Sequence, residues 1–413
     1  MTAKRTFETR RLKHVVELQR IRADVVEGPY VGLENIESWT GRLKATPDTV
    51  PPSEDPVDDS VGQSQTNSFQ SGDILFGKLR PYLAKAWVAD FGGRCTTEAL
   101  VMRAERVEPR YLLYVLLQPS FVDAVDSSTY GSKMPRAEWD FIGTVPVPVP
   151  PRAAQRAIVD FLDAEVGEID ALAAAKQRVL DLLAERRKAI IATAVTRGLD
   201  PKVTLHDSGV PWLGEIPAHW EIERARWLFR ERDVRSTTGE EEMLTVSHLT
   251  GVTPRSEKDV NMFEAETNEG YKLCEPGDLV INTLWAWMGA MGIAPVKGIV
   301  SPAYNIYKPG PRLTPSYVDA LARLPVFAQE VTRYSKGVWS SRLRLYPEGF
   351  FEVYLPVPPK AEQQAIAKHI ARESEKLDAV LVATERTIGL LKERRSALIA
   401  AAVTGQLDVR AAA

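Results

Sequence analysis

The stretch LLAERRKAIIATAV at residues 182–195 returns as LLKERRSALIAAAV at residues 390–403. The match extends without a gap over 151–200 and 359–408, and about 23 of the 50 aligned positions are identical. Self-similarity over so long a period indicates a duplicated structural unit, and two copies are too few for a solenoid. We therefore predict two related halves with pseudo-two-fold symmetry.

Each copy of the repeat predicts a long helix. A proline pair opens each copy, at 150–151 and 358–359, and proline at the first helical position loses no needed donor. Apolar residues then recur at alternating spacings of three and four, which is typical of a coiled-coil seam. They are Leu162, Val166, Ile169, Ala173, Leu180, Leu183 and Ile190, then Ile370, Leu377, Leu381, Ile388, Leu391 and Leu398. Because the second helix leaves from the half in which the first helix ends, we expect an antiparallel pair. The alternative is that each helix packs on its own half.

The segments between the helices predict two globular α+β domains. SGDILFGKL at 71–79 parallels PGDLVINTL at 276–284, and each is a Gly-Asp turn followed by an apolar strand. The uncharged segment 279–296 is short for a membrane span and contains polar residues, so we predict buried strands and a loop there. The predicted organisation is a first domain over 1–150, a spacer helix over 151–200, a second domain over 201–358, and a second spacer helix with a C-terminal tail over 359–413.

The composition is that of a folded chain without a strong charge. The 413 residues include 52 basic and 55 acidic side chains, the formal net charge is -3, and 44% of residues are hydrophobic. These values exclude a disordered polyelectrolyte and do not favour nucleic-acid binding. Two isolated cysteines and an N-terminus without an apolar leader predict a cytoplasmic protein without a membrane segment.

Motifs for catalysis are absent from the sequence. It contains no phosphate-binding GxxxxGK[ST] loop, and no Asn- or Asp-Pro-Pro-aromatic motif of the kind that DNA amino-methyltransferases use. The five histidines are scattered, without the spacing of metal ligands. We therefore predict a chain with no catalytic residues, no metal and no cofactor.

Polar and aromatic clusters occur at similar places in the two domains. Arginine and lysine can bind phosphates or guanine edges, and serine can reach base edges, so these clusters are candidates for DNA contact. The candidates are Lys78, Arg80, Tyr82, Ser132, Lys133 and Arg136 in the first domain, and Lys336, Trp339, Ser341, Arg342 and Arg344 in the second. The alternative is that strands and turns carry such residues without a ligand. We predict that Trp285 and Trp287 lie in the core, and that the acidic segment 45–77, whose first part is an exposed loop, lies away from phosphates.

A charged cluster appears once in each predicted helix. Its members are Glu185, Arg186 and Arg187 in the first helix, and Glu393, Arg394 and Arg395 in the second. Such runs are usually solvated ion pairs on a helix face. Because the cluster is repeated, docking of a further protein on the symmetric helix pair is an equal alternative.

Taken together, these features resemble the specificity subunit of type I restriction-modification systems. The resemblance is carried by GDILFGKLRPYLAKAWVADFGGRCTTEALVM at 72–102, DSGVPWLGEIPAHWE at 207–221, PGDLVINTLWAWMGAMG at 276–292 and SPAYNIYKP at 301–309, with the paired PVPP-plus-helix units. It covers nearly the whole chain. One departure is that the motif WLGEIPAHW occurs only before the second half, which leaves the edge of the first domain open.

The resemblance implies a fold and a function. Two globular target-recognition domains would each read one half of a bipartite site in double-stranded DNA, separated by two long antiparallel coiled-coil helices that set the spacing. The helices would dock two methyltransferase subunits, and two ATP-dependent restriction subunits would complete the complex. The chain itself would be non-catalytic, whereas the complex would methylate adenine and cleave DNA.

Two other functions fit parts of the sequence. The first is a cytoplasmic coiled-coil adaptor that binds only protein partners. The second is a self-contained modification enzyme, which the absent cofactor and catalytic motifs disfavour. A specificity subunit explains both the duplicated helix and the divergent domains, so it is the favoured interpretation.

Overall fold

The computed structural model describes residues 7–21, 28–44, 66–257, 267–337 and 343–409. The first part of the acidic segment, which was predicted to be an exposed loop, lies outside these ranges over 45–65. The chain divides into two compact units. Unit 1 combines Met1–Gln177 with Arg386–Ala413, and unit 2 is Arg178–Glu385. Each unit therefore takes one part of each long helix, together with one globular part.

Unit 1 is built on an antiparallel four-stranded sheet. Its elements are β1 (Thr9–Arg11), β2 (Val16–Gln19), β3 (Tyr30–Val31), β4 (Thr66–Phe69), β5 (Ile74–Gly77), β6 (Ala86–Val88), β7 (Gly93–Thr96), β8 (Ala99–Ala104), α1 (Pro109–Leu116), α2 (Pro119–Asp126), α3 (Trp139–Ile142), β9 (Pro146–Pro148) and the first long helix, α4 (Arg152–Arg197), which continues into unit 2. The main sheet has the order β2-β8-β5-β6, and a second sheet has the order β3-β7-β4. Strands β1 and β9 pair separately.

Unit 2 contains a sheet of the same kind, with the order β13-β20-β17-β18. Its elements are β10 (Leu205–Asp207), β11 (Glu215–Pro217), β12 (Glu221–Arg224), α5 (Ala225–Leu228), β13 (Phe229–Glu231), β14 (Leu244–Ser247), β15 (Gly251–Pro254), β16 (Lys272–Cys274), β17 (Leu279–Ile281), β18 (Met291–Ile293), β19 (Gly298–Val300), β20 (Asn305–Pro309), α6 (Pro315–Ala322), α7 (Pro325–Arg333), α8 (Pro347–Glu352), β21 (Tyr354–Val357) and the second long helix, α9 (Lys360–Val403), which ends in unit 1. The apolar segment 279–296 forms β17, a loop and β18, as predicted. Among the described residues, no helix is both long and apolar enough to cross a membrane.

The Gly-Asp turn before the central strand has one structure in both units. In unit 1, the buried Asp73 carboxylate accepts a hydrogen bond from the Gln70 backbone N–H at 2.8 Å and pairs with Arg103 at 2.9 Å. In unit 2, Asp278 accepts from the Glu275 backbone at 2.8 Å. The preceding glycines have φ near +90°, a conformation that is free of steric cost only for glycine. The repeated Gly-Asp motif therefore starts β5 and β17 in the same way.

The two long helices pack antiparallel within each unit. In the core of unit 1, Leu162 and Val166 of α4 lie with Ile399 and Val403 of α9. Further along α4, Asp170 pairs with Arg395, so the numbering rises on one helix as it falls on the other. In unit 2 the core likewise joins residues near the end of α4 to the first turns of α9. The predicted seam is confirmed, because each of its members is buried or half-buried.

A buried tyrosine attaches the globular part of each unit to the helices. The Tyr111 hydroxyl of α1 donates to the carbonyl oxygen of Val403 at 3.2 Å or of Pro148 at 3.1 Å. The Tyr317 hydroxyl of α6 donates in the same way to Val195 at 3.2 Å. Burial raises the pKa of both hydroxyls. The neutral donor is therefore retained at any ordinary pH.

Candidate functional sites

The loop after β5 carries three of the predicted DNA-binding residues in unit 1. Arg80 adopts a left-handed conformation with φ +51°, and a single 3-10 turn at Pro81–Leu83 follows it. These bends turn Arg80 and Tyr82 outward, and both are exposed, while Lys78 is half-exposed. The loop therefore presents two cations and an aromatic ring at the end of the central strand.

A short hairpin over 130–136 lies against this loop. Tyr130 and Arg136 exchange both backbone hydrogen bonds at 3.1 Å, and the Arg80 N–H donates to the carbonyl oxygen of Pro135 at 2.7 Å. Ser132 and Lys133 are exposed at the tip of the hairpin. The structure therefore brings the six predicted residues of unit 1 onto one surface, although about fifty residues separate the two segments in the sequence.

Arg136 has a role inside this surface. Its guanidinium binds Glu98 through two hydrogen bonds, of 2.9 and 3.1 Å. The neighbouring Tyr130 hydroxyl donates to Glu138 at 2.7 Å, and this carboxylate raises the pKa of the tyrosine. Arg136 thus fixes the hairpin, and the exposed cations Arg80 and Lys133 are better placed to meet an anionic ligand.

In unit 2 the corresponding loop, between β17 and β18, presents tryptophans. The prediction that Trp285 lies in the core is wrong, because this side chain is 49% exposed. Its ring stacks on that of Trp287, with centroids 6.2 Å apart and planes at 18°. Trp287 is half-buried, and its indole N–H donates to the carbonyl oxygen of Leu284 at 3.1 Å. Aligning the two Gly-Asp motifs places Trp285 opposite Arg80, and this correspondence was the available sign that Trp285 is exposed.

An antiparallel backbone bridge between Lys336 and Arg344 lies beside the tryptophan loop. Lys336 and Arg344 exchange both backbone hydrogen bonds at 2.9 Å, and the next residue, Leu345, donates to the carbonyl oxygen of Thr283 at 3.1 Å. Both basic side chains are exposed. The predicted residues Trp339, Ser341 and Arg342 lie outside the described residues. The two units thus share one arrangement, a loop after the central strand and an antiparallel bridge docked on it, with different side chains.

The charged clusters on the long helices divide into exposed and internal members. Glu185, Arg186, Glu393 and Arg394 are exposed. Arg395 is buried, and it bonds Asp170 at 2.9 Å and the carbonyl oxygen of Trp39 at 2.8 Å. Its repeat counterpart Arg187 pairs with Asp378. Both inner arginines therefore stabilise their own unit, which leaves the four exposed residues as the candidates for partner contact.

Large apolar side chains are exposed on both helices next to these charges. They are Leu172 and Leu390 in unit 1, and Val179, Leu182, Val380 and Val382 in unit 2. Leu182 and Leu390 are repeat counterparts, with 62% and 55% of their surface exposed. Apolar patches beside charged residues are typical of protein-binding surfaces. We name these six side chains, with the four exposed charged residues, the helix faces.

The described part of the chain contains neither a group of metal ligands nor a reactive thiol. No group of three or more histidine, cysteine or acidic side chains there is arranged to hold a metal ion. Cys95 and Cys274 are free and buried. Burial raises the pKa of their thiols to about 12 and about 11. Both are therefore unreactive thiols at neutral pH.

Known proteins resemble this chain in sequence and in structure. No family model matches the sequence. The specificity subunit of the type I restriction enzyme EcoDI from Escherichia coli is 24% identical over 189 residues, which are 46% of this chain and 37% of the length of that relative. The chain therefore matches little more than a third of the relative's length.

Two solved structures share the whole fold. The first belongs to a study of complex assembly and conformational transition of the type I restriction-modification system. It is 19% identical, has a TM-score of 0.71, and the match covers 97% of this chain and 98% of the other. The second is the HsdS subunit from Thermoanaerobacter tengcongensis, 19% identical, with a TM-score of 0.50 and 97% coverage of both chains. The chain is thus similar in sequence to a type I specificity subunit and has the fold of HsdS subunits, which confirms the resemblance inferred from its duplicated motifs.

Proposed function

We propose that the chain is the DNA sequence-specificity subunit of a type I restriction-modification complex. The observation that carries the proposal is the arrangement shared by the two units, a loop with an antiparallel bridge docked on it, which exposes different side chains in each unit. A protein that reads two different DNA half-sites needs two similar backbone scaffolds that carry different side chains. Catalysis would belong to other subunits, and this chain would supply only recognition and geometry.

The exposed side chains suit two different half-sites. In unit 1, Arg80 and Lys133 offer charged donors, which bind phosphates or the O6 and N7 edge of guanine. In unit 2, Trp285 offers an apolar face, which suits a thymine methyl group or an unstacked base step. Lys336 and Arg344 flank it and can hold the phosphates. Each unit would therefore read one half of a bipartite, asymmetric site in double-stranded DNA.

The long helices would set the spacing between the half-sites and dock the partner subunits. Because the helix faces occur in both units, they provide two related surfaces, which suits two methyltransferase subunits. Each surface combines apolar side chains with an exposed arginine, a combination frequent at protein interfaces. Two restriction subunits would then join the complex through this modification core.

The proposal is tested by mapping DNA methylation. The chain is co-expressed with the methyltransferase subunit of its own system in a methylation-free host, and modified adenines are mapped by sequencing. We expect one bipartite motif. The double variant Arg80→Ala/Lys133→Ala should relax or reduce methylation through one half of the motif, and Trp285→Ala through the other half.

A matched control keeps the result specific. Trp227 on α5 is 73% exposed and lies outside the tryptophan loop and the Lys336–Arg344 bridge of unit 2, so Trp227→Ala should leave the motif unchanged. Absence of any motif, or an equal effect of the unit 1 and unit 2 variants on both halves, would contradict the proposal. Assembly with proteins but no methylation motif would favour the protein-only adaptor.

A further inference from the structure

Unit 2 contains an open groove between its helices and its globular part. The groove has a volume of about 820 Å³, and its lining includes Arg187 of α4, Ser374 and Leu377 of α9, and Asp319 of α6. The loop between β14 and β15 also lines it, through His248 and Leu249. The Leu249 side chain is nevertheless 72% exposed. A large apolar side chain therefore remains in solvent beside an apolar groove, although its burial would be favourable.

At the corresponding place in unit 1, a loop is held on the helices. The repeat relates Arg187 and Asp378 of unit 2 to Arg395 and Asp170 of unit 1. Arg395 bonds Asp170 and also donates to the carbonyl oxygen of Trp39 at 2.8 Å. The Trp39 side chain packs against the main core of unit 1. The arginine of this arginine–aspartate pair thus holds a loop of the globular part on the helices.

The backbone of the unit 1 loop shows that its contacts impose its conformation. Trp39 has φ +68°, which is unfavourable for a residue with a side chain and persists only where the surroundings enforce it. Gly41 follows with φ +79°, and a Cβ atom there would lie 2.8 Å from Leu113 of α1. Leu117 would be 3.4 Å away. The loop is therefore seated tightly on an apolar face of unit 1.

In unit 2 the loop lies on the same face, but that face is polar: a Cβ atom on Gly251, which has φ +70°, would lie 3.6 Å from the Arg323 side chain. Counted from the proline that opens each helix, Leu113 and Leu117 of unit 1 correspond to Asp319 and Arg323 of unit 2. The Arg323 guanidinium donates to the carbonyl oxygen of Leu249 at 2.9 Å. Arg187 instead donates to the carbonyl oxygen of Ser374 at 3.3 Å, besides pairing with Asp378. Arg323 thus holds the loop beside the groove.

We propose that the loop over 247–250 is a latch that closes into this groove, placing Leu249 between the long helices and its carbonyl oxygen on Arg187. Closure breaks the hydrogen bond from Arg323 to the Leu249 carbonyl oxygen. It forms a bond from Arg187 to that oxygen, equivalent to the bond from Arg395 to Trp39 in unit 1. The globular part of unit 2 would then have a released and a locked state on its helices, whereas the loop of unit 1 is already bonded to its arginine. This switch lies within unit 2 and does not depend on what the chain binds.

A disulfide test on the full chain reports closure directly. In Leu249→Cys/Ser374→Cys, mild oxidation should cross-link the two thiols, because closure moves residue 249 from the exposed edge of the groove to the wall that Ser374 forms. The control Leu249→Cys/Leu182→Cys places the second thiol on the exposed side of α4, and it should cross-link at least about tenfold more slowly. The native thiols do not interfere, since both are buried. Equal rates in the two variants would overturn the proposal.

A second test changes the balance between the two states. Arg323→Leu introduces the residue type of unit 1 and should slow backbone hydrogen exchange over 247–250 by about tenfold, and adding Arg187→Ala should abolish that protection. Faster exchange in Arg323→Leu would mean that the arginine merely anchors the loop, and would reject the latch.

A third measurement separates the latch from a partner that occupies the groove. In the single variant Ser374→Cys, the introduced thiol is labelled with and without the methyltransferase subunit. Protection of this thiol only when that subunit is added, with the loop still exchanging freely, would assign the groove to the partner and also reject the latch.

Discussion

A single glutamine in the first turn of each long helix connects the helix to its globular part. In unit 2 the side-chain amide of Gln363 donates to the carbonyl oxygens of Pro358 and Arg312, each at 2.8 Å. Its carbonyl oxygen accepts from the Thr314 N–H, also at 2.8 Å, at the start of α6. In unit 1, Gln155 makes the equivalent bonds to Pro150 and Glu108 at 2.7 Å. Because both glutamines lie at the same distance from their proline pair, the two copies of the repeat make the same connection.

Replacing this glutamine should destabilise its unit strongly. Gln363 is fully buried, so Gln363→Leu leaves buried backbone groups without partners, at about 1–3 kcal/mol for each group. We expect a loss of about 3 kcal/mol in the free energy of unfolding of unit 2, measured by chemical denaturation. The adjacent Gln364 is exposed, and Gln364→Leu serves as the control with almost no effect. Similar losses in the two variants would contradict this role of Gln363.

At the scale of elements, the long helices were the most predictable part of the chain. Periodic apolar residues and proline pairs predicted helices from 151 and 359, and the structure has Arg152–Arg197 and Lys360–Val403. Burial of individual side chains was less predictable, because it depends on partners remote in sequence. Arg395 is buried by Trp39 and Asp170, neither of which its local sequence reveals. Trp285 was wrongly predicted to lie in the core for the same reason, because the orientation of a loop depends on residues remote in sequence that pack against it.

The two repeat-related arginines should differ in their contribution to stability. The Arg395–Asp170 pair has side chains 11% and 17% exposed, whereas Arg187 and Asp378 are 34% and 55% exposed. Removing one partner of a buried pair costs about 3–5 kcal/mol, and an exposed pair contributes about 1 kcal/mol or less. Arg395→Met should therefore lower the stability of unit 1 far more than Arg187→Met lowers that of unit 2. Calorimetry of the two variants checks this, and equal losses would refute it.

Charge reversal on the helix faces should weaken assembly with the methyltransferase subunit. Arg186 and Arg394 are repeat counterparts and both are exposed. We expect Arg186→Glu/Arg394→Glu to raise the Kd of assembly by at least about tenfold, mainly through faster dissociation, as measured by sedimentation. Lys202→Glu, on an exposed turn outside the helices, is the control. Unchanged assembly of the double variant would show that these arginines are only solvated.

At the scale of the whole molecule, the net charge of -3 limits how tightly the chain alone can hold DNA. The candidate surfaces offer five cations in the described residues: Lys78, Arg80, Lys133, Lys336 and Arg344. If each meets one phosphate, the logarithm of the affinity should fall with the logarithm of salt concentration with a slope of up to about -4.5. We expect weak, salt-sensitive binding by the isolated chain and tight binding in the complex, measured by fluorescence anisotropy. Tight specific binding by the isolated chain at physiological salt would refute this.

Unit 1 is made of two segments that are far apart in the sequence, and this affects how it folds during synthesis on the ribosome. Its core contains Leu12 and Val16 from the start of the chain together with Ile399 and Val409 from its end. Unit 2 is a continuous segment, so it can fold as soon as it has emerged. Translation proceeds at about 5–20 residues per second. The end of α9, which covers the core of unit 1, is therefore synthesised roughly ten to fifty seconds after the first segment of that unit. The globular part of unit 1 is therefore made before unit 2 but finishes folding after it, and it is the part for which a nascent-chain chaperone matters most.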